Sequence, residues 1–241
     1  MKITTLLENK TTCDALRCEH GLSLYIETEK HKILFDSGAS DAFWENARAL
    51  GIDLAQVDIA FLSHAHNDHC GGLLTFLRGN RTAKVYLQKE AFGDYYVVTP
   101  TKCAFIGLDP KLHEYADRFV MAEGVTKLDE ELTLFSGIWT HELLSEANAT
   151  LREKVGGDYP RDAFRHEQDL LVTEHGKTVL FAGCAHSGIV NIINRAEHIL
   201  GRAPDYVFAG FHLYNPSLGQ SEPRALVDAV GERLRARKAT R

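Results

Sequence analysis

Short apolar blocks alternate along the chain with stretches of helical spacing. Residues 2–8 (KITTLLE), 22–28 (LSLYIET) and 32–36 (KILFD) are rich in β-branched and apolar side chains, with Gly21 and Gly38 as breakers, which predicts three early strands. A helix is predicted over about 41–50, where Phe43, Ala47 and Leu50 recur at helical spacing and Ser40 or Asp41 can cap the first turn. Residues 57–62 (VDIAFL) read as a buried strand that runs directly into SHAHNDHCGG. A helix at about 70–78 and a strand at 84–88 follow.

From about 90 to 165 the pattern weakens. Pro100, Pro110 and Pro160, the pair Gly156-Gly157 and short apolar runs predict strands joined by loops, with an exposed flap. Order returns at 169–183, read as two strands joined by a turn near His175-Gly176. A helix at 188–200 carries Ile189, Ile192, Ile193, Ala196 and Ile199 on one face. Residues 205–210 predict a further strand. A last helix spans about 222–237, started by Ser221 and Pro223 and carrying Leu226, Val227, Val230 and Leu234. The basic run at its end suits a helix C-terminus. Strands and helices alternate at both ends with no dividing linker, so one α/β domain over 1–241 is expected, built of two sheets packed face to face with helices outside.

Composition narrows the function classes. The 241 residues carry 27 Lys+Arg against 33 Asp+Glu, a net charge of −6 that argues against a broad nucleic-acid surface. No apolar run approaches the ~20 residues of a membrane span, and the N-terminal stretch lacks the apolar segment of a signal peptide. The 5 cysteines (13, 18, 70, 103 and 184) are odd in number and scattered, which does not suit a disulfide framework. A cytoplasmic protein acting on a small molecule is the expectation. The unusual count is 12 histidines, against 2 Met and 2 Trp.

Their placement is informative. His64-Ala65-His66-Asn67-Asp68-His69 puts four candidate ligands in six residues, where a buried strand gives way to a helix. Residues i and i+2 of extended chain project the same way, so His64 and His66 can address one point, and Asp68 and His69 a neighbouring one. Desolvating three imidazoles and a carboxylate together is costly without a metal or another partner. The spacing suits two adjacent divalent ions, zinc first, with iron or manganese as alternatives.

This segment resembles the HxHxDH signature of the metallo-β-lactamase-fold superfamily. Phe35-Asp36-Ser37-Gly38 is similar to that superfamily's Asp-Thr-Gly turn. Gly183-Cys184-Ala185-His186-Ser187-Gly188-Ile189-Val190-Asn191 resembles the Gly-Cys-Ser-His-Ala-Gly-Ile-Val-Asn element of a branch that includes 7,8-dihydropterin-6-methyl-4-(ribofuranosyl)aminobenzene phosphate synthases. Gly210-Phe211-His212-Leu213 is similar to its Gly-Phe-His-Leu element. Tyr159-Pro160-Arg161 and Glu167-Gln168-Asp169-Leu170 are weaker echoes. The resemblance covers most of residues 1–215.

It implies a four-layer αβ/βα sandwich. His64 and His66 would bind a first ion, completed by His186. Asp68 and His69 would bind a second, completed by His212. Asp36 would hydrogen-bond a ligand from behind. Two departures stand out. The superfamily's bridging aspartate corresponds here to Cys184, either a thiolate ligand for a soft metal or a packed core residue. The sequence also ends 29 residues after His212 without the branch's later His-Cys-Thr-Gly-like element, which bears on the closing strand and part of the substrate pocket.

Among the other histidines, His166, just before the strand at 169–173, is a further candidate ligand or substrate contact. His113 and His141 can line a pocket, while His20, His31, His175 and His198 read as surface, turn or helix residues. Arg161 offers a planar fork for a phosphate or carboxylate. The expected chemistry is attack of a metal-activated hydroxide on an ester, thioester, lactam or phosphoester, with Asp68 orienting the nucleophile and passing a proton to the leaving group. Two alternatives remain open: a dihydropterin-type transferase, and a non-catalytic metal-binding or sensing protein.

Overall fold

The computed structural model describes residues 1–237. The last four residues of the basic tail lie outside them. Contacts divide the described residues into two compact units, Met1–Gly93 with Ile106–Ala122, and Asp94–Phe105 with the residues from Glu123 onward. In chain order the first unit holds strands β1 (Lys2–Leu7), β2 (Ser23–Glu27) and β3 (Lys32–Phe35), helix α1 (Ala42–Ala49), strand β4 (Ile59–Phe61), helices α2 (Asn67–Cys70) and α3 (Leu73–Gly79) and strand β5 (Lys84–Gln88). The second unit takes β6 (Tyr95–Thr99) and β7 (Lys102–Phe105), and β8 (Phe119–Ala122) returns to the first. The rest of the second unit comprises β9 (Val125–Lys127), β10 (Leu132–Phe135), β11 (Leu151–Glu153), β12 (Asp169–Glu174), β13 (Lys177–Phe181), α4 (Ile189–Leu200), β14 (Tyr206–Phe208), β15 (Tyr214–Asn215), β16 (Gln220–Ser221) and α5 (Arg224–Ala236).

The first unit's sheet runs β1-β2-β3-β4-β5-β8. It is antiparallel from β1 to β3 and parallel from β3 to β8. The parallel strands are near-continuous apolar runs, and Ile33, Leu34, Phe35, Ala60, Phe61, Val85 and Leu87 are buried, as expected where both faces of a strand are covered. Capping of α1 falls to Ser40, whose Oγ accepts the Ala42 N–H at 3.1 Å, while Asp41 makes no side-chain cap. Leu50 lies past the last helical turn and is exposed, unlike Phe43 and Ala47. The helix predicted at 70–78 is two pieces, α2 and α3, separated by Gly71-Gly72.

Those glycines permit a close approach. A Cβ on Gly72 would stand 2.2 Å from the Ser37 carbonyl oxygen and 2.5 Å from the Phe43 ring. The break thus seats the histidine segment against the turn that follows β3.

The second unit's main sheet runs β14-β13-β12-β10-β9, and β13/β14 is its parallel pair. His175 and Gly176, both at positive φ, make the tight turn between β12 and β13. The core gathers Phe135, Leu171, Leu180, Ala182, Ile189, Val190, Ile192, Ile193 and Ala196, so α4 buries the face read from its spacing, with Ile199 packed at its margin. The last helix is shallower than its pattern suggests. Val230 is buried and Leu234 partly so, but Val227 is exposed. The weakly patterned middle supplies the three-stranded β11-β6-β7 sheet and edge strands of both larger sheets. Among the described residues no helix is long and apolar enough to cross a membrane.

Gly72→Ala should destabilise the chain by about 2–3 kcal/mol through overpacking. Gly231→Ala, inside α5 with nothing within 4 Å of its Cβ position, should instead be neutral or stabilise by up to about 1 kcal/mol. Urea-unfolding midpoints compare the two.

Candidate metal centre

In the first unit the candidate site begins where the parallel ladder ends. Phe35 pairs with Phe61, and the Asp36 N–H donates to the Phe61 carbonyl at 2.9 Å. That register sets Asp36 beside Ser63. Asp36 sits in left-handed backbone (φ +58) and is buried. Its Oδ1 accepts the Ser63 N–H at 2.7 Å, and its Oδ2 accepts the Ser63 hydroxyl at 2.6 Å and lies 2.6 Å from His69 Nδ1. A carboxylate only accepts, so His69 carries its proton on Nδ1. Ser63 Oγ, having given its proton to Asp36, accepts from His64 Nδ1 at 2.9 Å. With Nδ1 so engaged, these contacts suit the tautomer that presents Nε2 to a metal in both rings. The His64 ring centroid lies 4.8 Å from that of His66 and 4.2 Å from that of His69. All three rings are buried.

Asp68 lies in the single turn of α2. Its Oδ2 is 3.5 Å from His69 Nε2 and 3.4 Å from His20 Nε2. Burial pushes the Asp68 carboxyl up, but the imidazoles of His69, His66 and His20 outweigh it and hold the group below the usual carboxylate range. His20, read from sequence as a surface or turn residue, is exposed yet joins this array, with Nδ1 2.8 Å from Asn9 Oδ1.

The second unit builds its own donor group on the loops after β13 and β14. One donor atom each from Cys184, His186 and His212 lies within 4.8 Å of the others. Glu167 brackets the His186 loop, accepting the His186 N–H at 2.7 Å and the Ser187 N–H at 2.9 Å. Asn148 reads His186 twice. Its Nδ2 donates to the His186 carbonyl, and its Oδ1 lies 2.9 Å from His186 Nδ1. An amide oxygen accepts, so Nδ1 again carries a proton. Phe164 stacks on the ring at 4.6 Å and 5°. The Ser145 hydroxyl lies 2.6 Å from the His212 carbonyl.

His166 is buried under Tyr95, with Nε2 3.0 Å from Asp162 Oδ2. Arg161 is exposed, 3.2 Å from Glu146. His113 stacks on Phe92 and His198 packs against Trp139. Within the first unit the structure therefore brings His64, His66 and His69 together over Asp36, and within the second Cys184, His186 and His212. Imidazoles oriented through hydrogen bonds at Nδ1 suit a divalent transition ion, and the carboxylate and thiol nearby suit the same class of ion.

The family model of the metallo-beta-lactamase superfamily matches residues 16–99. An uncharacterized protein of Methanocaldococcus jannaschii, MJ0448, is 30% identical over 220 residues, covering 88% of this chain and 80% of its own. The chain belongs to the metallo-β-lactamase superfamily. A second M. jannaschii relative, named 7,8-dihydropterin-6-methyl-4-(beta-D-ribofuranosyl)-aminobenzene-5'-phosphate synthase, is 29% identical and covers 88% of this chain and 78% of its own. Among solved structures, Tm1679, described as a metal-dependent hydrolase of the beta-lactamase superfamily, matches with a TM-score of 0.80 and 26% identity, over 98% of this chain and 84% of its own.

The mixed α/β fold is that of the metallo-β-lactamase superfamily. Spacing alone missed Ser63, Glu167, Asn148 and Asp162. Ser63 and Glu167 adjoin candidate ligands and could have been suspected on that ground. Asn148 lies 38 positions from His186 in an irregular loop, and no sequence signal pointed to it.

Two outcomes follow for this superfamily member. Asp36→Ala frees both rings that the carboxylate orders and should weaken metal affinity about 10–100-fold, read by chelator competition. Asp169, at the start of β12, has a buried Oδ1 without a hydrogen-bond partner. Burial, reinforced by Glu167, pushes its carboxyl well above the usual range. A raised folded-state pKa means its contribution to stability is present at low pH and lost as pH rises through the folded value. Asp169→Asn should therefore gain stability relative to wild type as pH rises from the usual carboxylate range toward neutrality. Urea midpoints that keep a constant difference over that range would contradict this.

Proposed function

We propose that the chain is a metal-dependent hydrolase that cleaves an ester, thioester, lactam or phosphoester bond of a small molecule, with metal ligands drawn from His64, His66, Asp68, His69, His186 and His212. The observation that carries this reading is the hydrogen bonding at Nδ1 of three candidate ligands. His64, His69 and His186 have Nδ1 2.9, 2.6 and 2.9 Å from Ser63 Oγ, Asp36 Oδ2 and Asn148 Oδ1 respectively, an arrangement suited to presenting Nε2 to a metal. A divalent ion held by such ligands, zinc first with iron or manganese as alternatives, would supply Lewis acidity and lower the pKa of a water, to ~7 for zinc.

The protein's own groups do the rest. Asp68, held ionised by its imidazole neighbours, accepts a proton at its carboxylate and returns it to the leaving group. Asp36 keeps the His64 and His69 rings in register throughout. Arg161, on an exposed loop, is a candidate contact for an anionic part of the substrate, and His166 is a second candidate ligand or substrate contact. The chain is read as one cytoplasmic domain acting on a small molecule.

The synthase relative favours a second reading, in which the same ligands bind and polarise a substrate for group transfer. A panel of esters, thioesters, lactams and phosphodiesters, run beside condensation of a dihydropterin with an aminobenzene ribofuranosyl phosphate, separates the two. Under the hydrolase reading the panel contains a substrate whose kcat falls at least about 100-fold both on chelation and in Asp68→Ala. Condensation without hydrolysis moves the assignment to the transferase. Tight metal binding with no turnover in either assay moves it to a binding or sensing protein.

A further inference from the structure

We propose that Cys184 is a thiolate metal ligand, forming with His186 and His212 a sulfur–nitrogen donor set that selects a thiophilic divalent ion over manganese or magnesium. This rests on the metal-dependent reading above and adds to it the kind of ion that is bound.

Four observations support the assignment. First, the donor atoms of the three residues lie within 4.8 Å of one another. Tetrahedral zinc holds nitrogen and sulfur donors about 3.3–3.6 Å apart, so a bound ion would draw the three atoms together by up to about 1.5 Å.

Second, the backbone is built to hold this cluster. Phe181 and Phe208 pair in the parallel β13/β14 ladder. Just beyond it the Gly210 N–H donates to the Gly183 carbonyl at 2.7 Å. A Cβ on Gly210 would stand 2.8 Å from that oxygen and 3.1 Å from Cys184 Cα. Glycine at 210 lets the His212 loop lie directly against the backbone that carries the thiol.

Third, left-handed residues occur at the donors themselves. Ala185, between Cys184 and His186, has φ +56, and His212 has φ +43. Such conformations are uncommon for residues with a side chain and persist where the surroundings enforce them. Here the His186 N–H donates to Glu167 and Asn148 donates to the His186 carbonyl, fixing the chain just after Ala185, and the Ser145 hydroxyl meets the His212 carbonyl.

Fourth, Cys184 does not sit as a core cysteine would. Cys70, a packed thiol, is 2% exposed, whereas Cys184 is only half-buried. Free cysteines that merely fill space are among the most buried residues. A thiolate is a soft donor that favours zinc and cobalt, while hard ions such as magnesium and manganese favour oxygen donors.

Cobalt substitution of the full chain tests this. The wild-type cobalt form should show visible d–d bands together with a near-ultraviolet sulfur-to-cobalt charge-transfer band. Cys184→Ser should lose the charge-transfer band, keep d–d absorption and weaken zinc affinity at least about 10-fold, with a smaller change for manganese. Cys70→Ser should retain both bands. Zinc-edge X-ray absorption of the wild-type chain should find sulfur in the coordination shell, a readout independent of whether any variant folds. Metal binding without sulfur in that shell overturns the role of Cys184 and leaves the metal-dependent reading standing. Failure of the wild-type chain to bind either metal overturns both.

Discussion

One buried carboxylate organises the donors of the first unit. Asp36 is 2% exposed, and an ionised group in that position is costly unless its oxygens are met by donors. Ser63 supplies two, through its backbone and its hydroxyl, and His69 a third. The same serine passes the constraint on to His64. The carboxylate therefore places a proton on Nδ1 of His69 directly and of His64 through Ser63. Its position comes from the β3/β4 register, so sheet pairing in the interior decides the protonation pattern at the strand ends.

The second unit reaches a comparable result with neutral parts. Its parallel pair β13/β14 ends in two loops, and the contact between Gly183 and Gly210 joins them behind the donors. Asn148 does for His186 what Asp36 does for His69, with an amide in place of a charge. Glu167 uses its charge on the backbone, gathering two successive N–H groups of the His186 loop. Parallel strands suit this design because neighbouring carboxyl ends emerge on the same side of the sheet, where loops from different parts of the sequence meet.

Local features of this arrangement were legible in the sequence, and distant ones were not. His64, His66, Asp68 and His69 stand out because their relation is one of spacing within a single strand end. Asp36, His186 and His212 became visible through resemblance, since nothing about an isolated aspartate or histidine announces its partners. Asn148 was invisible. It sits in a short 3-10 turn, Glu146–Thr150, too brief to show a period, and it reaches its histidine across 38 positions. His20 failed for a related reason: an exposed residue beside a strand gives no sign that the chain folds it against Asp68. Strands and helices with buried faces were read well, because burial imposes the pattern. In α5 the pattern overstated the burial, since helical spacing of apolar residues says which face can pack and not how far it does.

The order in which folding and metal binding act follows from these contacts. In small zinc modules the metal supplies folding free energy, and the apo chain is unfolded. Here each unit has an apolar core of its own, Phe35, Phe61 and Phe76 in the first and Leu180, Ile192 and Ile193 in the second, and the ligands hang on strand ends that those cores determine. His64, His69 and His186 are oriented by hydrogen bonds between their Nδ1 atoms and Ser63, Asp36 and Asn148. The entropy of ordering those rings is therefore spent when the chain folds, and an incoming ion meets donors already held. Its binding free energy then goes into affinity and selectivity rather than into building the site. A change to a supporting residue such as Asp36 or Asn148 should consequently appear first in metal affinity, while a change to the interior of β3, β4 or β13 should appear first in stability.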